Sequence, residues 1–330
     1  MPLLSIIIPC FNNGLEIDDA VAALRRMEQD LPESVAVEYI FIDDKSKDDT
    51  YERLVDVHNG MHDRSAVIRL TRNVGVYNAL LAAFEHVHGD CVTVFPADLQ
   101  EPVELIPRMY GHWVAGARLV LTARTRRKDG TMERLTSLVF HLMMKRIAMP
   151  GIPLSGFGTA LVDRSVMMEL MRMREKNSNT LLLISWLGHQ PVVIPYDRSG
   201  RSKGRSGWSL SKKVKLFVDS VVAFSYAPIR FITWAGFLFG LIAFTYAIVV
   251  LVSALTGGVA VQGWSALMIV VLMATAFQMV ALGILGEYLW RTLDTVRQRP
   301  PYIIDRLHDT RRYKDAPGAR GTHKGDPGTP

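Results

Sequence analysis

Between residues 231 and 289 charge nearly vanishes from the chain, and this constrains its fold more than any other feature. Two segments in this region, about 231–255 and about 265–285, reach the roughly 20 apolar residues that a membrane-crossing helix needs. A helical hairpin buried in a soluble core is the competing reading. The linker 256–263 is uncharged and holds two adjacent glycines. Cations stand outside the pair instead, with Lys212, Lys213, Lys215 and Arg230 before it and Arg291, Arg297 and Arg299 after it. Lysine and arginine mark the cytoplasmic ends of membrane helices. The expected topology is therefore multi-pass, with both termini in the cytosol and the linker outside. Residues 1–9 have no basic start and only a short apolar run, so no signal peptide is expected there.

The first two hundred residues read differently. Short apolar runs at 4–9, 37–43, 66–70, 91–95 and 119–124 are expected strands. Helical patterns lie between them at 14–29, 47–59, 75–87 and 103–115. Strands alternating with helices imply βαβ units and an α/β domain with a mostly parallel sheet covered on both faces. Ligands of such sheets sit beyond the carboxyl ends of the strands, so the polar residues that follow each strand matter most.

Two further segments have mixed character. Residues 132–149 combine Leu135, Val139 and Leu142 with Arg134, Lys145 and Arg146, which suits a helix lying on a membrane or one packed on the sheet. Residues 210–224 have a basic start and an apolar later half. The formal charge of +6 is concentrated near these segments, which favours a membrane surface or phosphates and argues against nucleic acid. Cys10 and Cys91 lie inside apolar runs and are expected to be buried free thiols, with no disulfide and no zinc site.

Three motifs can carry chemistry. Asp43-Asp44-Lys45-Ser46 closes the second strand. Its acids can receive a ribose or base edge, or Ser46 or Asp48 can simply cap the next helix. Asp98-Leu99-Gln100-Glu101-Pro102 follows the fourth strand. A carboxylate beside a side-chain amide suits Mg²⁺ or Mn²⁺ shared with a diphosphate, although Asp98 could instead cap a helix after Pro102. Residues 196–208 carry Arg198, Arg201, Lys203 and Arg205 among small residues. Such a loop can bind phosphate or touch anionic lipid.

These motifs together resemble family 2 glycosyltransferases of GT-A fold. The likeness is to the polyprenyl-phosphate glycosyltransferases, among them dolichol-phosphate mannose synthase and the bactoprenol glucosyl transferases. It extends over nearly all of residues 3–305. It rests on Ser5-Ile6-Ile7-Ile8-Pro9-Cys10-Phe11-Asn12, Asp43-Asp44-Lys45-Ser46, Asn73-Val74-Gly75, Ala97-Asp98-Leu99-Gln100-Glu101-Pro102 and the spacing Arg198-x-x-Arg201-x-x-Gly204. It continues in Leu285-Gly286-Glu287-Tyr288-Leu289 and Arg299-Pro300-Pro301-Tyr302-Ile303.

The resemblance implies inverting transfer of a sugar from a UDP- or GDP-linked donor to a polyprenyl phosphate, for cell-envelope glycan assembly. It implies a bacterial inner membrane with the catalytic domain on the cytosolic face. It also implies a homo-oligomer, with a tetramer as precedent, and no nucleic-acid partner. By the same resemblance Pro9, Phe11, Asp43, Asp44, Asn73 and Gly75 belong to the donor site, with Arg198, Lys203 and Arg205 facing phosphates. Asp98, Arg124 and Arg201 are the expected catalytic residues, and Asp98 and Gln100 the expected ligands of Mg²⁺ or Mn²⁺.

The chain departs from the family at Pro96, where an acid is usual, and at Gly156, where a candidate base is usual. A non-catalytic membrane scaffold derived from the fold is the alternative these departures suggest. A processive polysaccharide synthase is disfavoured, because no Gln-x-x-Arg-Trp precedes the apolar helices and two spans are few. No Gly-x-Gly-x-x-Gly follows the first strand, which argues against a dinucleotide oxidoreductase.

The expected organisation is a GT-A domain at 1–208 with an interface helix at about 131–149. A juxtamembrane helix at 209–227, two membrane helices at 228–290, a cytosolic segment at 291–310 and a disordered tail at 311–330 follow.

Overall fold

The computed structural model describes residues 1–124, 157–173, 180–197, 227–256 and 263–311, with single residues 142, 222 and 225. The expected interface helix, the basic loop from residue 198, the juxtamembrane helix and the tail after residue 311 lie almost wholly outside the described residues.

Strands β1 (Leu3–Cys10), β2 (Ala36–Asp43), β3 (Ser65–Leu70), β4 (Cys91–Val94) and β5 (Leu119–Arg124) form where apolar runs were expected. Between them run α1 (Ile17–Met27), α2 (Thr50–Met61), α3 (Val76–Phe84) and α4 (Leu105–Val114). Then come β6 (Phe157–Asp163), α5 (Arg164–Met173), α6 (Thr180–Trp186) and β7 (Val192–Tyr196). Two long helices, α7 (Ala227–Leu255) and α8 (Trp264–Val296), precede β8 (Ile304–Asp309).

The eight strands make one sheet in the order β7-β5-β6-β4-β1-β2-β3-β8. Pairs β1–β2, β1–β4, β2–β3 and β5–β7 are parallel, while β4–β6, β5–β6 and β3–β8 are antiparallel. This is the expected mostly parallel sheet with two antiparallel insertions. β6 enters between β4 and β5, so β5 does not pair with β4 as a simple βαβ repeat would have it.

Strand β1 explains why the sheet is covered on both sides. Leu4, Ile6 and Ile8 pack with α1, α2 and α4, and Ile7 packs on the other face with α3, α5 and α6. Both sets are fully buried, which is why the strand reads as a continuous apolar run. Cys10 and Cys91 are buried free thiols, and burial pushes both thiols up.

The expected boundaries need one correction. Residues 291–310 do not form a separate segment after the helices. α8 continues to Val296, and β8 closes the sheet's edge antiparallel to β3. Arg311, placed in the expected disordered tail, donates to the Glu38 carboxylate at 2.7 Å with both side chains fully buried.

Glu38 also accepts the Ser5 hydroxyl, and the His88 N–H at 2.8 Å. Burial alone would raise this carboxyl, but His88, Arg311 and Ser5 outweigh it and hold Glu38 at about 2 against an ordinary 4.5. Its stabilisation is therefore present above about pH 4.5 and is lost as pH falls toward 2, worth about 3 kcal/mol in all. Melting the protein between pH 5 and pH 3 should show this decline, and Glu38→Gln should flatten it.

The helices α7 and α8 hold candidate spans of mean hydropathy 2.4 and 2.3, long and apolar enough to cross a membrane. None of either span's most apolar stretch is buried against the rest of the chain, so the soluble-core hairpin does not describe them. Phe239 on α7 meets Phe277 on α8 at 5.3 Å between ring centres.

Candidate active site

The parallel strands β1, β2, β3 and β4 end on the same edge, and β6 and β8 begin there. The strand order runs 3-2-1 and then jumps to 4, so the chain reverses direction across the sheet between β1 and β4. A crevice at that point is where open α/β sheets hold ligands. The Pro9–Asn12 loop stands on one side of it and the Asp98 turn on the other.

Four non-glycine residues among those described have positive φ, and three lie on this edge: Asn12 at 54°, Lys45 at 59° and Leu99 at 50°. Left-handed backbone of this kind costs about 1–3 kcal/mol and gathers where function demands it. It is the clearest sign of a site that the sequence did not display.

The loops after β1 and β2 are stitched together. Asn12 N–H donates to the Ser46 hydroxyl at 2.9 Å, and its side-chain oxygen accepts from Lys47 N–H at 2.9 Å. Gly14 N–H donates to Asp48 Oδ2 at 3.1 Å. Ser46 therefore joins two loops and does not cap α2. Asp48 Oδ1 does accept from Thr50 N–H, at 3.2 Å, so the capping alternative holds for Asp48 only.

The two acids of the second motif have different surroundings. Asp43 is fully buried. Its Oδ1 accepts from Ser46 N–H at 2.9 Å, while Oδ2 has no hydrogen-bond partner among the described residues. Arg69 Nε lies 3.4 Å from that oxygen, and its guanidinium sits 4.2 Å over the Tyr51 ring. Asp44 instead turns to the next loop. Its two oxygens accept the N–H groups of Val74 and Gly75 at 2.7 and 2.9 Å. Burial raises its carboxyl to about 6, even though both N–H bonds pull the other way.

Gly75 has φ of 85°, which L side chains rarely adopt, so the Asn73-Val74-Gly75 motif is a backbone requirement. Asp44→Ala would strand both N–H groups and should cost about 2 kcal/mol. A lowered melting midpoint together with a raised donor KM would register the loosened loop.

Asp98 and Gln100 are half-buried at the end of β4. Asp98 Oδ1 accepts from Gln100 N–H at 3.3 Å, which closes a short turn around Leu99. The next helix begins only at Leu105, and no side chain caps it. The capping alternative for Asp98 therefore fails, and the turn that carries Asp98 and Gln100 stands on the crevice edge. Among the described residues no cluster of three or more His, Cys, Asp or Glu side chains could hold a metal. A magnesium-type ion shared with a diphosphate needs only one or two protein oxygens, so this pair of hard donors fits such an ion. Pro96 has no side-chain donor to add.

Pro9 and Phe11 close β1 on the same edge, Phe11 being exposed. Arg124 closes β5 there, in register with Tyr196 of β7. Arg198, Arg201, Lys203, Arg205 and Gly156 lie outside the described residues. A surface hollow at the start of α4, lined by Pro102, Leu105, Arg108, Pro195 and Tyr196, contains none of the expected donor residues.

Sequence reasoning missed two contacts. Lys45 Nζ meets Asp305 of β8 at 3.0 Å, and Glu101 is buried behind the Asp98 turn. A long-range ion pair leaves no local signal, but an acid set against Pro102 beside the metal motif could have flagged Glu101.

Residues 5–171 match the model of glycosyl transferase family 2. The uncharacterized glycosyltransferase YkcC of Bacillus subtilis (strain 168) is 31% identical over 315 residues, covering 94% of this chain and 97% of its own. The prophage bactoprenol glucosyl transferase homolog of Escherichia coli (strain K12) is 32% identical over 305 residues, covering 92% and 99%. A solved mannosyltransferase, PcManGT from Pyrobaculum calidifontis in complex with GDP-Man and Mn²⁺, overlaps 88% of this chain and 87% of its own at 16% identity and a TM-score of 0.43. With its family model and near full-length relatives in agreement, the chain is a glycosyltransferase and belongs to glycosyl transferase family 2.

Proposed function

We propose that the protein transfers one sugar from a nucleotide diphosphate-sugar to a polyprenyl phosphate, with inversion, at the cytosolic face of a bacterial inner membrane. The observation that carries this reading is where the second apolar helix returns. The stretch 297–303 spans at most about 25 Å, and it delivers β8 to the edge that bears Asp43 and Asp98. Thr71 N–H donates to Ile303 O at 3.0 Å, and Asp305 pairs with Lys45 beside Asp43 and Asp44. The site edge is thus joined to the end of a membrane-length helix by a short stretch of chain, which supports a site that a lipid phosphate can reach. The bactoprenol glucosyl transferase names of near full-length relatives support the same acceptor class.

In this reading the Asp43 oxygen that faces Arg69 without a hydrogen bond accepts from the donor's base or ribose, and the Asn73–Gly75 loop, held by Asp44, frames the pocket. UDP and GDP are the expected carriers. Asp98 and Gln100 hold Mg²⁺ or Mn²⁺ against the donor diphosphate. Such an ion, when bound, neutralises charge on the leaving diphosphate. Arg124, Arg198, Arg201, Lys203 and Arg205 are proposed to meet phosphate oxygens.

An acceptor phosphate oxygen forms the new bond to the anomeric carbon, and the bond from that carbon to the diphosphate breaks. No side-chain base is needed. A phosphate monoester has its second pKa near 6, so it is already largely dianionic at neutral pH. Gly156 in place of a base is compatible with this, since positioning and exclusion of water do most of the work.

Homo-oligomers belong to the proposal as well, because the exposed apolar surface of α7 and α8 needs lipid or further copies to cover it. Mass photometry in nanodiscs would count the copies. The reaction itself is tested with the full-length protein, undecaprenyl phosphate, labelled UDP- and GDP-sugars and Mg²⁺ or Mn²⁺. A lipid-linked monosaccharide is expected from one donor, and no product across a broad panel would sink the reading.

A further inference from the structure

Glu101 follows the Asp98–Gln100 turn directly and is only 8% exposed. Its Oε2 accepts from Thr159 N–H on β6 at 3.0 Å, and its Oε1 accepts from the Tyr196 hydroxyl on β7 at 3.1 Å. Gly158 makes room for this. A Cβ there would lie 2.3 Å from Glu101 Oε1 and 2.4 Å from the Tyr196 oxygen. Three segments therefore converge on one carboxylate: the turn after β4, the start of β6 and the end of β7.

Two of these segments adjoin residues expected to act in transfer. The turn holds Asp98 and Gln100, and Tyr196 is two residues before Arg198. The turn also contains Leu99 in left-handed backbone, which persists only where its surroundings over-determine it. The 3.3 Å bond from Gln100 N–H to Asp98 is long for that duty. The two charge-assisted bonds of Glu101 are better suited to it.

We infer that Glu101 is a positioning residue. Its carboxylate fixes the Asp98–Gln100 turn in the geometry that presents both oxygens to a divalent cation, and fixes where the chain leaves β7 toward Arg198. This rests on the proposed reading of Asp98 and Gln100 as cation ligands.

The test uses the full-length protein in nanodiscs and the variants Glu101→Ala, Glu101→Gln and Tyr196→Phe. Mn²⁺ binding is followed by electron paramagnetic resonance with UDP and then with GDP present. Nucleotide affinity without metal, the melting midpoint and transfer kinetics are measured alongside. Losing a residue that orients metal ligands typically costs about 10–100-fold in metal affinity or activity, and Glu101→Ala should fall in that range. Its nucleotide affinity without metal should stay within about twofold, because Asp43 and Asp44 lie on other loops.

Glu101→Gln should restore Mn²⁺ binding, since its amide oxygen can take the Thr159 N–H and its NH₂ can donate to the Tyr196 oxygen. Tyr196→Phe removes the bond between β7 and Glu101 but leaves that of Thr159, and should give an intermediate loss, which keeps the test decisive if the alanine variant fails to fold. Unchanged Mn²⁺ affinity in Tyr196→Phe and any folded Glu101→Ala overturns the inference. So does a Gln variant as impaired as Ala, an equal loss of metal-free nucleotide affinity, or a parent protein that binds no Mn²⁺ with either nucleotide. A parent that turns over no donor but binds Mn²⁺ defeats the proposed function and leaves the Glu101 measurement intact.

Discussion

Asp98→Ala in the full-length protein is expected to lower sugar transfer by about 10²–10³-fold, the usual cost of deleting one well-placed electrostatic group at a reacting centre. The melting midpoint should move less than the activity, because Asp98 is only half-buried. Activity and stability therefore separate at this residue, which they would not if Asp98 served the fold. The expected loss is large because Pro96, two residues earlier, has no carboxylate to compensate, and the motif's other acid, Glu101, is buried and bonded to Thr159 and Tyr196. Asp98→Asn keeps an acceptor for Gln100 N–H but removes the charge, so it should fall between the parent and the alanine variant. Pro96→Asp should lower the Mn²⁺ concentration needed for half-maximal transfer. The idea is defeated if Asp98→Ala keeps more than about a tenth of parental activity, a loss of under 1.4 kcal/mol in transition-state stabilisation.

The central strands were legible because burial on both faces leaves them no polar alternation. The run expected at 4–9 is β1 (Leu3–Cys10), and that at 37–43 is β2 (Ala36–Asp43). The start of α2 was less so. A helix expected from residue 47 begins at Thr50, because Ser46 and Asp48 bond to the loop after β1 and hold the chain out of helix. Strand β8 could not be read, since Ile304-Asp305-Arg306-Leu307-His308-Asp309 is a half-exposed edge with no apolar run. Within the candidate site, Asp43, Asp98 and Gln100 could be singled out by their place at or after strand ends. The different task of Asp44 was not, because only the folded loop shows that Val74 and Gly75 supply both its partners. The Lys45–Asp305 and Glu38–Arg311 pairs join residues that both long apolar helices separate in sequence, and no local pattern encodes them.

Ending the chain at Arg299 should destabilise the protein more than any single substitution named above. Such a chain keeps α7 and α8 but loses β8, so β3 becomes an open edge although Ala66, Val67 and Ile68 are fully buried. Tyr51 loses its 2.9 Å bond to His308, and Lys45 loses Asp305. Most costly is Glu38, which stays fully buried without Arg311. Breaking a buried ion pair from one side costs about 3–5 kcal/mol. At about 2–4 °C per kcal/mol for a domain of this size, the broken ion pair alone should lower the midpoint by roughly 6–20 °C. Arg311→Ala in the full chain isolates the ion pair's share, and the shortened chain should fall further because the strand is gone as well. Glu38→Gln in the shortened chain should recover part of the loss by removing the stranded charge. Donor affinity should drop too, since the turn bearing Asp43 and Asp44 loses its tie to the strand that follows the membrane helix. A shortened chain that melts within about 3 °C of the parent would leave β8 as decoration on an independent domain. A fall of the expected size, partly reversed by Glu38→Gln, would make the two apolar helices and the candidate site parts of one cooperative unit, because the strand lost is the one that joins them.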